Sequence, residues 1–89
     1  MHYLFMSMKT LQKKIIVYRT QTCPYCHLVE DFLKEHKLKF ISIDVGEDQK
    51  AAEEMIKKSK QMSVPVIDVS GTIIIGFDKT ALKKSLGLK

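Results

Sequence analysis

Ile15-Ile16-Val17-Tyr18-Arg19-Thr20-Gln21-Thr22-Cys23-Pro24-Tyr25-Cys26-His27-Leu28-Val29 is the stretch on which the reading of this chain turns. Its first part, Ile15 to Tyr18, is short, apolar and β-branched, the composition of a strand covered on both faces. Thr22-Cys23-Pro24 ends that run. Pro24 suits a first helical position, where the N–H it lacks would have no helical partner. Leu28, Val29, Phe32, Leu33 and His36 then recur at helical spacing. Glu30, Asp31, Lys34 and Glu35 fall on the outward face, and the helix is expected to end near Lys37. The stretch is therefore a strand feeding a helix, with two cysteines at the junction.

Downstream, Phe40 to Val45 reads as a second strand, closed by Gly46. Asp48 is placed to cap a helix from Gln49 to about Ser59, with Ala52, Met55 and Ile56 expected inward. Val64 to Val69 reads as a third strand, interrupted near its start by Pro65. Ser70-Gly71 is a two-residue turn into a fourth, Thr72 to Ile75, which makes these two a hairpin. Asp78 caps a last helix, Lys79 to Leu86, stopped by Gly87. The order is βαβαββα. A helical connection between the first two strands predicts a parallel pair with a right-handed crossover, and the hairpin adds an antiparallel half. The expected class is α/β, a four-stranded mixed sheet flanked by three helices.

With 89 residues, 45% hydrophobic and 28% charged, the chain has the balance of one globular domain, which excludes a disordered tail and a collagen-like fibre. Residues 14–89 read as that domain and 1–13 as an N-terminal extension, flexible at its start, with Met6 and Met8 as alternative starts. The net charge of +5 favours acidic partners. Nucleic acid is not expected as a partner, because no aromatic platform interleaves with the lysines. Lys57, Lys58, Lys60, Lys79, Lys83 and Lys84 read as outward helix residues, solvated or steering acidic proteins. No membrane span is expected, since no stretch approaches the ~20 apolar residues it requires. Met1 to Met6 is too short an apolar run for a signal peptide, so the expected compartment is cytoplasmic. Two cysteines rarely form a structural staple there. A monomer is expected.

Cys23 and Cys26, at i and i+3, share a helix face about one turn apart, within reach of a disulfide. A sulfur at the helix N-terminus meets unpaired N–H donors and the positive end of the dipole, both of which favour thiolate over thiol. Cys26, inside the first turn, is more shielded. The asymmetry assigns Cys23 to attack a substrate disulfide and Cys26 to resolve the mixed disulfide. Three other readings fit the spacing. Half of a zinc site would need two more ligands, with His2, His27 and His36 the only histidines available. Cys23 to His27 also matches the Cys-x-x-Cys-His of haem attachment, which would require export. The third is an inert pair of buried thiols.

The stretch from Val17 through Cys23-Pro24-Tyr25-Cys26-His27, together with Ser63-Val64-Pro65 and Gly76-Phe77-Asp78, resembles the glutaredoxin family over about Lys14 to Leu86. The resemblance implies a thioredoxin-like fold and a dithiol-disulfide oxidoreductase with no bound cofactor. It implies disulfide-containing proteins as partners, glutathione as a candidate co-substrate, and glutathione or thioredoxin reductase as electron source. It also implies a cis-proline at Pro65 facing the dithiol, with the Val64 backbone as an edge on which a cysteinyl substrate pairs. An ordinary trans Pro65 at a strand start is the other reading.

The chain departs from the family pattern where glutathione would bind. The family's Lys three residues before the first Cys is Thr20 here, with Arg19 beside it. Its Gly-Gly-x-Asp-Asp segment is Ile75-Gly76-Phe77-Asp78-Lys79, and Lys79 would repel the glutathione amine. Gly76 and Asp78 retain a helix N-terminus for an anionic group, although Asp78 also reads as a plain cap. The Gly-Phe ending is similar to the redoxins that serve ribonucleotide reductase and are recharged by thioredoxin reductase. Tyr25 reads as flanking a bound thiol or as an exposed aromatic, and Gln61 as a carboxylate ligand or a loop residue. His27 reads as a solvated helix residue, and Met55 and Met62 as core filler. Two other function classes remain open: an iron–sulfur or metal-binding module using Cys23 with an external thiol, and a redox sensor without turnover.

Overall fold

Alternating side chains along three strands build this structure, a computed structural model that describes residues 13–88. Apart from Lys13, the expected extension over residues 1–13, with His2, Met6 and Met8, lies outside the described residues. The strands are β1 (Ile15–Arg19), β2 (Ile41–Asp44), β3 (Val66–Val69) and β4 (Thr72–Ile75). The helices are α1 (Pro24–Glu35), α2 (Gln49–Ser59) and α3 (Lys79–Leu86). The sheet order is β2-β1-β3-β4, with β2 parallel to β1 and the other neighbours antiparallel.

Because successive strand residues point to opposite faces, β1 serves two cores. Ile15 and Val17, with Ile67 and Val69 of β3 and Ile74 of β4, meet Val29, Phe32 and Leu33 of α1 and Leu82 of α3. On the other face Tyr18 and Val66 meet Ala51 and Met55 of α2. Each fully buried side chain of this size contributes roughly 1.5–3 kcal/mol, so burial on both faces outweighs any single cap. The β3–β4 turn places Ser70 at φ 49° and Gly71 at φ 100°, the left-handed pair that a two-residue hairpin requires. Gly71 donates its N–H to Asp68 Oδ1 at 2.7 Å, and Ser70 and Lys14 exchange hydrogen bonds that tie the turn to the start of β1.

Element order and caps follow the sequence, but three details of packing do not. Leu28 and His36 are exposed rather than inward, and α1 turns Cys26, Val29, Phe32 and Leu33 to the core. The buried stripe of α2 is Ala51, Met55 and Ser59, so Ala52 is half-buried and Ile56 lies at the exposed edge. Two adjacent alanines carry too little apolar surface to set a helix's phase. Strands two and three are also shorter than expected, losing Phe40 and Val45 at the ends of one and Val64-Pro65 at the start of the other.

Lys58 is a further correction to the outward lysines. It is half-buried and its Nζ lies 2.8 Å from Asp68 Oδ2 and 2.7 Å from the Tyr18 hydroxyl, which itself donates to Glu54. Asp68 is a buried carboxylate in the middle of β3. Burial disfavours its charge, but hydrogen bonds from Lys58 and Gly71 and the Lys58 charge outweigh that and hold its carboxyl below the ordinary range. Burial likewise opposes the ammonium of Lys58, and its bonds to Asp68 and Tyr18 more than offset this, raising its pKa. Burial raises the Tyr18 phenol against the opposing effect of Lys58.

Asp68 binds its proton more weakly in the folded chain than in the unfolded one. Its stabilisation is therefore complete above the ordinary carboxylate pKa and is lost as pH falls through the depressed value. Lys58 contributes fully below its ordinary pKa and loses that only as pH rises through the raised one. Urea unfolding of an Asp68→Asn variant is expected to show a loss of about 1–2 kcal/mol at pH 7. The difference from the unaltered chain should hold across neutral pH and shrink in acid below about pH 4. A loss that grew on acidification would refute the pairing.

Candidate active site

Cys23 is the N-cap of α1, with extended backbone at φ −99° and ψ 106°. In that conformation its side chain folds back over the first turn, and its Sγ accepts the backbone N–H of Cys26 at 3.1 Å. Pro24 occupies the first helical position, as expected. The two sulfurs lie at disulfide distance, with the Cα atoms 5.2 Å apart, inside the range a disulfide spans. Cys26 is wholly buried, whereas Cys23 keeps 9% of its surface. Between them Tyr25 stands 61% exposed. His27, the next residue, is exposed as well.

The sheet register brings the other candidates to the same end of the molecule. Tyr18, near the end of β1, pairs with Val66, the first residue of β3, and Val66 pairs with Ile75, the last of β4. The loop carrying Cys23, the segment Val64-Pro65 and the segment Gly76-Asp78 therefore all leave the sheet at one edge. The Val64–Pro65 peptide bond is cis, Pro65 is buried, and Val64 is half-buried two residues ahead of the ladder. Gly76 donates its N–H to the Pro65 carbonyl at 2.9 Å, which joins two of these segments directly. Its φ of 76° belongs to the left-handed region.

Asp78 is an exposed N-cap of α3, its Oδ1 accepting the N–H of Ala81 at 3.0 Å. Gln61 follows α2 with its carbonyl held by Ser59 Oγ at 2.9 Å, so its backbone position is fixed. Met55 fills the core as expected, but Met62 is 78% exposed and fills nothing. It belongs to the loop leading into Val64-Pro65. Among the described residues no group of three His, Cys, Asp or Glu side chains could hold a metal ion. Among the described residues no helix is long and apolar enough to cross a membrane.

One supporting group, Glu30, was expected outward and is instead half-buried. Glu30 of α1 lies with Oε2 3.0 Å from Arg19 Nε and accepts the Ser42 hydroxyl, so one carboxylate links α1, β1 and β2 beneath the dithiol loop. The Arg19 contact is a charge pairing at that distance and not an aligned hydrogen bond. The available signal was an arginine at the end of an otherwise apolar strand.

A family model described as Glutaredoxin matches residues 15–74, the span from β1 to β4. The chain belongs to the glutaredoxin family. An uncharacterized glutaredoxin-like 8.6 kDa protein in the rubredoxin operon of Clostridium pasteurianum is 43% identical over 70 residues, 79% of this chain and 93% of that one. Glutaredoxin 3 of Escherichia coli K12 is 34% identical over 62 residues, 70% of this chain and 75% of its own. A solved structure of a mutant of the thioredoxin-like protein BC3987 superposes with a TM-score of 0.81 at 30% identity, covering 86% of this chain and 99% of that one. The fold is thioredoxin-like, with the glutaredoxin dithiol at the strand-to-helix junction.

Gly76 is the position where this geometry is most open to test. A Cβ there would meet nothing within 4 Å, so a side chain is opposed only by the left-handed backbone. A Gly76→Ala variant is expected to unfold in urea with about 1 kcal/mol less stability. Unchanged stability would mean that the Gly76–Pro65 link does not hold that backbone in place.

Proposed function

We propose that this glutaredoxin-family chain reduces protein disulfides through Cys23 and Cys26. The observation that carries the reading is the contact of Cys23 Sγ with the Cys26 N–H at the N-terminus of α1, with Cys26 buried directly behind it. In the reduced state the same donor and the helix dipole favour a thiolate on Cys23. That thiolate attacks one sulfur of a substrate disulfide. A Cys23–substrate bond forms, the substrate S–S bond breaks, and the other substrate sulfur leaves as a thiolate that takes a proton from solvent. Cys26 then loses its proton and attacks Cys23 Sγ, which releases the second substrate sulfur as thiolate. The two electrons gained by the substrate leave the dithiol as the Cys23–Cys26 disulfide.

The Val64 backbone supports the docking half of this cycle. It lies just outside the ladder at the sheet end from which the dithiol loop leaves, where a cysteinyl segment can add as a short strand. Regeneration needs an external two-electron donor. A flavoprotein reductase of the thioredoxin reductase class suits this chain better than glutathione. Thr20 and Lys79 stand where the family pattern places a glutathione-binding Lys and Asp, and the Gly76 N–H is already committed to Pro65. Glutathione remains a poor co-substrate on this reading, and the cycle calls for no bound cofactor.

Cys23→Ser is expected to abolish disulfide reduction. Cys26→Ser should keep the first step and trap substrate as a mixed disulfide. The oxidised protein should be reduced faster by NADPH with thioredoxin reductase than by millimolar glutathione with glutathione reductase. Normal turnover by Cys23→Ser would overturn the mechanism, whereas the reverse order of reductants would overturn only the choice of donor.

A further inference from the structure

A groove of about 250 Å³ runs beside α1, with Leu28 and Phe32 on the helix side and Phe77 across from them. Both of its walls hang from the dithiol site. Along α1, Leu28 and Phe32 lie on the turns that follow Tyr25, so the wall starts about 8 Å along the axis from Cys23. Opposite, Phe77 follows Gly76, whose N–H is fixed to Pro65, and the Phe77 ring meets Phe32 edge-on with centroids 6.3 Å apart. Leu28 is 44% exposed on this face although α1 has a full apolar stripe facing the core, so packing of the domain does not account for it.

The charge around the groove runs against that of the chain. Asp31 and Glu35 line the α1 side and Lys79 the other, a local balance of −1 in a protein of +5. We propose that this groove holds the polypeptide flanking the reacting cysteine of a protein disulfide, seating an apolar side chain with a basic residue beyond it. The proposal rests on the dithiol reading above and adds to it a sequence preference. Glu35 lies roughly 18 Å along the axis from Cys23. An extended chain covers that span in about five to six residues, and the distance to Leu28 in two to three. The apolar residue therefore falls two to four positions from the substrate cysteine and the basic one four to six. The separation of about 8 to 18 Å from Cys23 and the acidic α1 side together select a polypeptide of this character over a small thiol, which would not reach.

Two octapeptides, each with its cysteine as a mixed disulfide with 2-nitro-5-thiobenzoate, test this. Both carry leucine three positions from the cysteine, and one ends in two lysines where the other ends in two glutamates. The unaltered protein should show a kcat/KM at least about fivefold higher for the lysine peptide at low ionic strength, falling towards equality in high salt. An Asp31→Lys/Glu35→Lys double variant should invert that ratio, and Leu28→Ala should lower kcat/KM for both peptides alike. Because the readout is a ratio of two substrates on one protein, a general loss of activity or stability cancels. Equal kcat/KM for the two peptides, or the same preference in the double variant, overturns the groove while leaving the dithiol mechanism standing. Failure of the reduced protein to release 2-nitro-5-thiobenzoate from either peptide removes the dithiol reading and this proposal with it.

Discussion

A sulfur placed as a helix cap gains two properties at once. It accepts a backbone N–H that the helix cannot otherwise satisfy, and it stands at the edge of the fold where a second molecule can approach. Cys23 gains both from the abrupt change at Thr22-Cys23-Pro24, where an extended strand gives way to a proline-initiated helix. The donor it uses belongs to Cys26, so the group that steadies one sulfur is covalently part of the residue that carries the other. Burial of Cys26 then follows from the helix period, because Cys26, Val29 and Leu33 share the face turned to the sheet.

Holding that junction still falls to the sheet end from which it springs. Hydrogen-bonded register sets Tyr18, Val66 and Ile75 side by side, and the Gly76–Pro65 bond extends the order one step past the ladder. On one face Glu30 links α1 to β1 and β2, and on the other Lys58 links α2 to β1 and β3 through Tyr18 and Asp68. α1 and α2 are thus each attached by a charged group as well as by apolar burial. Apolar contact is nondirectional and tolerates sliding, whereas a paired carboxylate fixes an azimuth.

What the sequence disclosed is what depends on near neighbours. Pro24 at a helix start, Asp48 and Asp78 as caps, Ser70-Gly71 as a turn and Gly87 as a stop each act within a few residues, and each stands where the reading put it. Helix phase was less legible where the apolar signal was weak. Ala51 and Ala52 differ in burial by a rotation that only the sheet beneath them decides. The Lys58–Asp68 pair was invisible for a stronger reason. Lysine is ordinarily solvated, and its partner lies ten residues away on a strand whose neighbour across the layer cannot be named before the fold is known. Met62 shows the opposite error, an apolar residue assigned to the core that the loop before Val64 turns outward.

The exposed apolar residues near the dithiol edge bear on what kind of molecule the site handles. Glutathione is small and charged at both ends, so a site built for it concentrates its recognition in a few ionic and amide contacts close to the sulfur. On the proposed function, Thr20 and Lys79 stand where the family pattern would place two such ionic contacts, and the surface offers Tyr25, Leu28, Met62 and Ile75. Single exposed apolar side chains are ordinary on a domain surface, as Ile41 and Ile56 show elsewhere, so these four carry weight only as a group at one end of the fold. On the proposed function, a surface spread over one helix, one loop and one strand end suits a partner that is itself extended. Such a partner is recognised through shape and backbone pairing, with the acidic side of α1 adding charge, as the proposed reduction of protein disulfides requires.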